Sequence, residues 1–200
     1  MTGLFSFCYV SVRVEVIYKR KPMSDHIQEW KEISREMAFQ KYSRKIEKVI
    51  FQLPNGKESD FYIKKEGPAV AVLALTKKKE VILVRQFRPG PKKVLNELPG
   101  GYIDANETPE TAALRELQEE TGYTGEVHCV TPVLDCAYST MERQCVVVAE
   151  CEKISEQKLD ATEFAEVVLV SLDEFRSLLK SGQMTDIEVG YLGLDNLELL

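Results

Sequence analysis

Histidine is almost missing from this chain. Only His26 and His128 occur in 200 residues, and neither sits in a cluster with metal-ligand spacing. That argues against a zinc site and against a Ser-His triad. Cysteine is sparse and odd in number: Cys8, Cys129, Cys136, Cys145 and Cys151, with no Cys-x-x-Cys pair. These read as reduced thiols that pack rather than react, in a cytoplasmic protein. Long apolar runs are also lacking. The most apolar stretch, residues 4–18, is interrupted by Arg13 and Glu15 and is too short to span a bilayer. It has no basic start and no convincing cleavage site, so a secretory signal is not expected. Positive charge is in deficit, with a net charge of −6 and a pI near 5.2. This argues against nucleic-acid partners and against an anionic membrane surface. An anionic small molecule is still admissible where a metal and local arginines reverse the field. No internal repeat or low-complexity tract is present.

What is present suits one globular domain with an N-terminal appendage, at 44% apolar content. Residues 1–22 are an extension whose stretch 4–18 alternates as a strand would, or they lie upstream of a natural start at Met23. Residues 23–66 read as a β-rich region and residues 67–200 as the main domain. Strands are expected at 45–53 and 60–65, joined by the turn Pro54-Asn55-Gly56. Further strands are expected at 68–75, 81–87, 127–134, 144–151 and 167–170. Helices are expected at 172–180 and at about 186–200, from their apolar periodicity.

The chemistry concentrates in one helix. Thr108 reads as its N-cap, Pro109 as its first residue, Glu110 as a first-turn acid and Gly122 as its stop. Ala112, Ala113 and Leu117 give it a small apolar face. Glu116, Glu119 and Glu120 stand at i, i+3 and i+4, on one face, where they repel one another unless a cation lies between them. A solvated acidic face is the plain alternative. Oxygen donors of this kind suit a hard divalent ion, Mg2+ or else Mn2+, and such an ion serves pyrophosphate chemistry. The preceding Leu98-Pro99-Gly100-Gly101 lets backbone approach a ligand or metal closely.

The segment from Gly101 to Tyr123 fills every fixed position of the Nudix box, Gly-x5-Glu-x7-Arg-Glu-U-x-Glu-Glu-x-Gly-U with U apolar: Gly101, Glu107, Arg115, Glu116, Leu117, Glu119, Glu120, Gly122 and Tyr123. The chain therefore resembles the Nudix hydrolases. That resemblance implies an α/β fold, a Nudix-type α/β/α sandwich with a mixed sheet plus the small N-terminal β-rich region. It implies cleavage of a nucleoside diphosphate linked to another group. Glu116 and Glu120 would be the leading metal ligands, with Glu119 sharing a second ion and the Gly100 carbonyl as a further ligand. Arg115 would orient the carboxylates, and Glu107 would hold the loop or line the metal site.

Val84-Arg85-Gln86-Phe87-Arg88-Pro89 and Asn96-Glu97-Leu98-Pro99-Gly100-Gly101 are similar to segments of ADP-ribose pyrophosphatases and nucleotide-sugar hydrolases. The similarity implies that Arg85 and Arg88 bind substrate, and that the general base is Glu163, with Glu166 second and Glu119 competing. It also implies a homodimer in which Trp30, Phe51, Phe61 or Tyr62 stacks on a base, although such aromatics also serve as core. Tyr138 dissents, because it stands where that branch usually carries a proline. It resembles instead enzymes acting on dinucleoside polyphosphates. The expected activity is release of a nucleoside monophosphate and a sugar phosphate from ADP-ribose or a nucleotide sugar. A hydrolase of dinucleoside polyphosphates or oxidised nucleotides, and a non-catalytic nucleotide-sugar sensor, are the alternatives.

Overall fold

The computed structural model describes residues 27–159 and 161–200. The extension at 1–22, the apolar stretch 4–18, Cys8, His26 and Asp160 lie outside the described residues. The described residues open with an antiparallel sheet of β1 (Lys31–Lys41), β2 (Arg44–Gln52) and β3 (Glu58–Lys64), in that spatial order. The β2–β3 turn forms at Asn55-Gly56 as its sequence demands, with Gly56 at φ 79°. The strand β1 was not expected, because its charges at 31–32, 35–36 and 41 mask the alternation of Ile33, Met37 and Phe39. Trp30, Phe51 and Phe61 pack on one another, with ring centroids 5.3 to 6.2 Å apart. Tyr62 alternates to the other face and is exposed.

The second sheet contains β4 (Ala69–Thr76), β5 (Val81–Arg88), β6 (Lys93–Glu97), β7 (Gly100–Tyr102), β8 (Tyr123–Leu134), β9 (Glu142–Lys153) and β10 (Ala165–Val170). Its order is β10-β5-β4-β9-β8, with β6 on β5 and β7 on β4. The sheet is mixed, because β4 and β9 run parallel while its other pairs are antiparallel. The strands β6 and β7 are additions to the expected set. They are too short and too rich in glycine and polar residues to announce themselves, and they exist because β5 and β4 offer open edges.

All of β4 is buried, so both faces of the sheet are covered. Val70, Val72 and Ala74 pack against Ala112, Ala113 and Leu117 of the acidic helix, α1 (Pro109–Thr121). Ala71, Leu73 and Leu75 face Phe175 and Leu179 of α2 (Leu172–Ser181), and Val189 and Leu194 of α3 (Ile187–Asn196). This is the expected α/β/α sandwich. The last helix is shorter than the expected 186–200. The Leu197 and Leu199 amides turn back onto Gly193 and Leu194, and both side chains still reach the core. Apolar spacing thus outlasts the helix itself. Among the described residues no helix is long and apolar enough to cross a membrane. Cys129, Cys136, Cys145 and Cys151 are free, and burial pushes the Cys145 and Cys151 thiols up to about 12.

The contact of α3 with the sheet depends on Gly193. A Cβ there would lie 2.6 Å from Leu73 Cδ2 and 3.0 Å from Leu73 Cβ, and Leu73 is fully buried. Alanine would gain about 1 kcal/mol in helix propensity but incur about 1–3 kcal/mol of overpacking. Gly193→Ala is therefore expected to lower the urea midpoint, against its propensity. A raised midpoint would show that α3 can lift off Leu73 without loss.

Candidate active site

The helix α1 is built as its sequence specifies. Thr108 accepts from the Thr111 amide and returns its own amide to the Thr111 hydroxyl, Pro109 opens the helix, and Gly122 closes it at φ 78°. With Ala112, Ala113 and Leu117 committed to the sheet, Glu116, Glu119 and Glu120 fall on the flank facing β7. The approach is close. A Cβ on Gly101 would come within 2.4 Å of Glu116 Oε1, so a side chain there would push that carboxylate aside.

Arg115 organises the acids. Its Nε and Nη2 donate to the two oxygens of Glu107 at 2.8 and 2.9 Å, a bidentate fork. Its Nη1 donates to Glu116 at 2.8 Å and to Glu119 at 3.3 Å, while Nη2 also reaches the Tyr102 carbonyl. Glu107 additionally accepts from the Asp104 amide. Arg115 and that amide together hold its carboxyl down to about 2. Glu107 is thus a clip between the loop and the helix.

Glu120 is placed differently. It accepts a hydrogen bond from the Gly100 amide at 3.0 Å. Burial, with Glu116 and Glu163 nearby, pushes its carboxyl up to about 7 despite that bond. Burial also raises Glu116, opposed by Arg115. These side chains, with Gly100, Gly101, Lys158 and Glu163, surround a cavity of about 440 Å3. Lys158 and Leu159 were not anticipated. Their segment is pinned to α1 by Gln157, whose amide donates to the Glu120 carbonyl, and by the Lys158 amide bonded to the Glu119 carbonyl. No linear spacing announces such a contact.

Of the expected site residues, Gly100, Arg115, Glu116, Glu119, Glu120 and Glu163 meet at this one cavity. Arg88 lies next door. It lines a smaller cavity of about 170 Å3 that shares Gly100, Gly101 and Tyr102 with the first and adds Arg143 and Asp186. Arg85 and Glu166 face each other across β5 and β10 and form an exposed ion pair at 3.3 Å, outside the acidic cavity. Tyr138 is exposed and lines neither cavity; its carbonyl receives the Lys64 amide of β3.

Among the described residues, no three Asp, Glu, His or Cys side chains already converge as a metal-holding group. Arg115 draws Glu116 and Glu119 toward itself instead. The donor set nonetheless fits a hard divalent ion: oxygen-only carboxylates, partly desolvated, whose mutual repulsion a cation would relieve.

The model of the NUDIX domain matches residues 65–189. The chain is 39% identical over 143 residues to an ADP-ribose pyrophosphatase of Bacillus subtilis (strain 168), covering 70% of this chain and 77% of that protein. It is 31% identical over 175 residues to a methanol dehydrogenase activator of Bacillus methanolicus, covering 83% and 94%. An ADP-sugar pyrophosphatase of Mus musculus is 40% identical over 101 residues, covering 45% and 46%. Among solved structures, an ADP compounds hydrolase superposes with a TM-score of 0.73 at 19% identity, over 88% of this chain and all of that one. That likeness shows the fold.

The raised Glu120 carboxyl has a stability consequence. A carboxyl at about 7 when folded and near 4.5 when unfolded favours the folded state in its neutral form. Metal-free protein therefore loses stability as pH rises from about 4.5 through about 7. Glu120→Gln keeps an acceptor for the Gly100 amide and removes the charge. In a chelator it is expected to be on the order of 2 kcal/mol more stable than the parent above pH 7, and nearly equal near pH 4.5. Thermal melts at the two pH values read this directly. A difference that does not change with pH would overturn the assignment.

Proposed function

The chain belongs to the NUDIX family, and from that premise we propose that it hydrolyses the pyrophosphate of ADP-ribose or an ADP-sugar. The products are AMP and a sugar phosphate. The observation that carries this reading is the cavity in which the acids of α1 face the Gly100–Gly101 backbone and Glu163. The relatives named as ADP-ribose and ADP-sugar pyrophosphatases support the substrate class.

Glu116, Glu120 and the Gly100 carbonyl would hold Mg2+, or Mn2+, with Glu119 available to a second ion. When bound, such an ion neutralises phosphate charge and acidifies a water. The chain supplies the rest. Arg115 holds Glu116 and Glu119 in place through one guanidinium. Glu163 accepts the proton of the attacking water, with Glu119 the competing base. The water oxygen bonds to one phosphorus as the bridging P–O bond breaks. Arg88 binds the diphosphate from the adjoining cavity. Glu163 lines the acidic cavity whereas Glu166 pairs with Arg85 outside it, which favours Glu163 over Glu166 as base and Arg88 over Arg85 as anchor. Tyr138 stands away from both cavities, which favours the ADP-ribose reading over a dinucleoside polyphosphate. The exposed Ile33, Met37 and Phe39 of β1 support a homodimer. The reduced cysteines fit a cytoplasmic location.

The relative that activates methanol dehydrogenase extends along nearly its whole length and supports a second reading, a regulator that binds a nucleotide. Turnover with Mg2+ separates the two. ADP-ribose, ADP-glucose, GDP-mannose, NADH, diadenosine tetraphosphate and 8-oxo-dGTP form the panel. AMP release from ADP-ribose is expected, falling at least about 100-fold in Glu120→Gln. Preference for the dinucleoside polyphosphate would overturn the substrate, and binding without turnover would favour the regulator. In single-turnover rates, Glu163→Gln is expected to lose about 100-fold or more. A near-normal rate there, with loss in Glu119→Gln, would move the base to α1.

A further inference from the structure

Glu97 is a buried carboxylate that the chemistry above does not use. It ends β6, is 2% exposed, and stands opposite Val84 in the β5–β6 hairpin. Burying a carboxylate is costly unless its oxygens are taken up by donors. Both are. Oε2 accepts from Arg88 Nε at 2.6 Å and from Gln86 Nε2 at 3.0 Å. Oε1 faces the Thr185 hydroxyl at 3.1 Å. That hydroxyl is also 2.8 Å from Asp186 Oδ2, so its single proton serves one carboxylate at a time. Asp186 in turn pairs with Arg143, which also holds Asp135 at 2.8 Å.

The consequence falls on Arg88. Its Nε is held from behind by a buried carboxylate, and the hydrogen bonds among the described residues leave its two terminal nitrogens unused. It lines the small cavity that shares Gly100 and Gly101 with the acidic one. A guanidinium fork held by Nε presents its remaining edge to an anion with little loss of rotamer freedom.

We propose that Glu97 is a positioning residue for anion recognition: it aims the terminal nitrogens of Arg88 at a substrate phosphate, and Thr185 anchors it to the start of α3. The identity of that anion as the diphosphate of ADP-ribose rests on the function proposed above. A purely structural role is the rival, since Glu97 also ties β6 to the segment before α3.

The test is a double-mutant cycle of Glu97→Gln and Arg88→Ala in the full chain. KM and kcat for ADP-ribose with Mg2+ are read alongside affinity for inorganic pyrophosphate by calorimetry. Glu97→Gln is expected to raise KM and the pyrophosphate Kd by about tenfold, with kcat changed by less than about threefold. In the Arg88→Ala background it is expected to add nothing. Effects that multiply, or a KM unchanged by Glu97→Gln, would overturn the proposal. Where Glu97→Gln fails to fold, Thr185→Val replaces it. That variant is expected to give a smaller KM rise, again absent without Arg88, and an equal rise without Arg88 would overturn the proposal. A parent protein that does not hydrolyse ADP-ribose fails the substrate reading alone. The pyrophosphate Kd then decides the cycle, and a Kd indifferent to Arg88 overturns it.

Discussion

One guanidinium sets the geometry of the acidic site. Without a positive charge among them, Glu107, Glu116 and Glu119 would repel one another, and the loop from Gly101 to Thr108 would lose its side-chain tie to the middle of α1. Arg115 meets all three carboxylates and the Tyr102 carbonyl at once. Its planar fork makes that possible, since a lysine offers no bidentate edge to Glu107. Arg115 therefore joins the loop, the strand β7 and the acid face of the helix. Arg115 itself is only partly exposed, so its pairs are less screened than surface ion pairs.

Glu120 is the acid that Arg115 does not hold. Its partner is a backbone amide, and burial opposes its charge. Two neighbouring acids of one helix thus sit in opposite electrostatic conditions, one compensated by a side chain and the other met by a backbone amide alone. This division follows from the helix geometry. Positions 116 and 119 reach the Arg115 side of the flank, while 120, one turn on, points under β7. On the proposed function, stability is given up at Glu120 for a site that a divalent ion would complete, a common cost at functional positions.

Much of this was legible in the sequence, for identifiable reasons. The caps of α1, its acids and its glycine stop are local signals, and each reappears in the structure. So do β4 and β5, whose apolar runs require burial on both faces. What could not be read is non-local. The strands β6 and β7 exist only because neighbouring edges recruit them. Lys158 reaches the cavity because Gln157 and its own amide bond to carbonyls of α1. Glu97, Thr185 and Arg143 are far apart in sequence and meet only through the sheet order. The pairing of Arg85 with Glu166 is likewise a register fact of β5 and β10.

The start of α3 shows how such a non-local demand overrides a local rule. Asp186 occupies the N-cap position, where an aspartate normally accepts from the first helical amides. It makes no such bond, and it takes the left-handed conformation at φ 55°. Its carboxylate is turned to Arg143 and Thr185 instead. Forgoing the cap and adopting that backbone each cost about 1 kcal/mol or more. The ion pairs of Arg143 must outweigh that cost. They join α3 to Asp135 and, through Lys64 and Glu66, to the N-terminal sheet. The strained start of α3 thus serves two ends at once, the tie to the N-terminal sheet and the wall of the Arg88 cavity, which Arg143 and Asp186 both line.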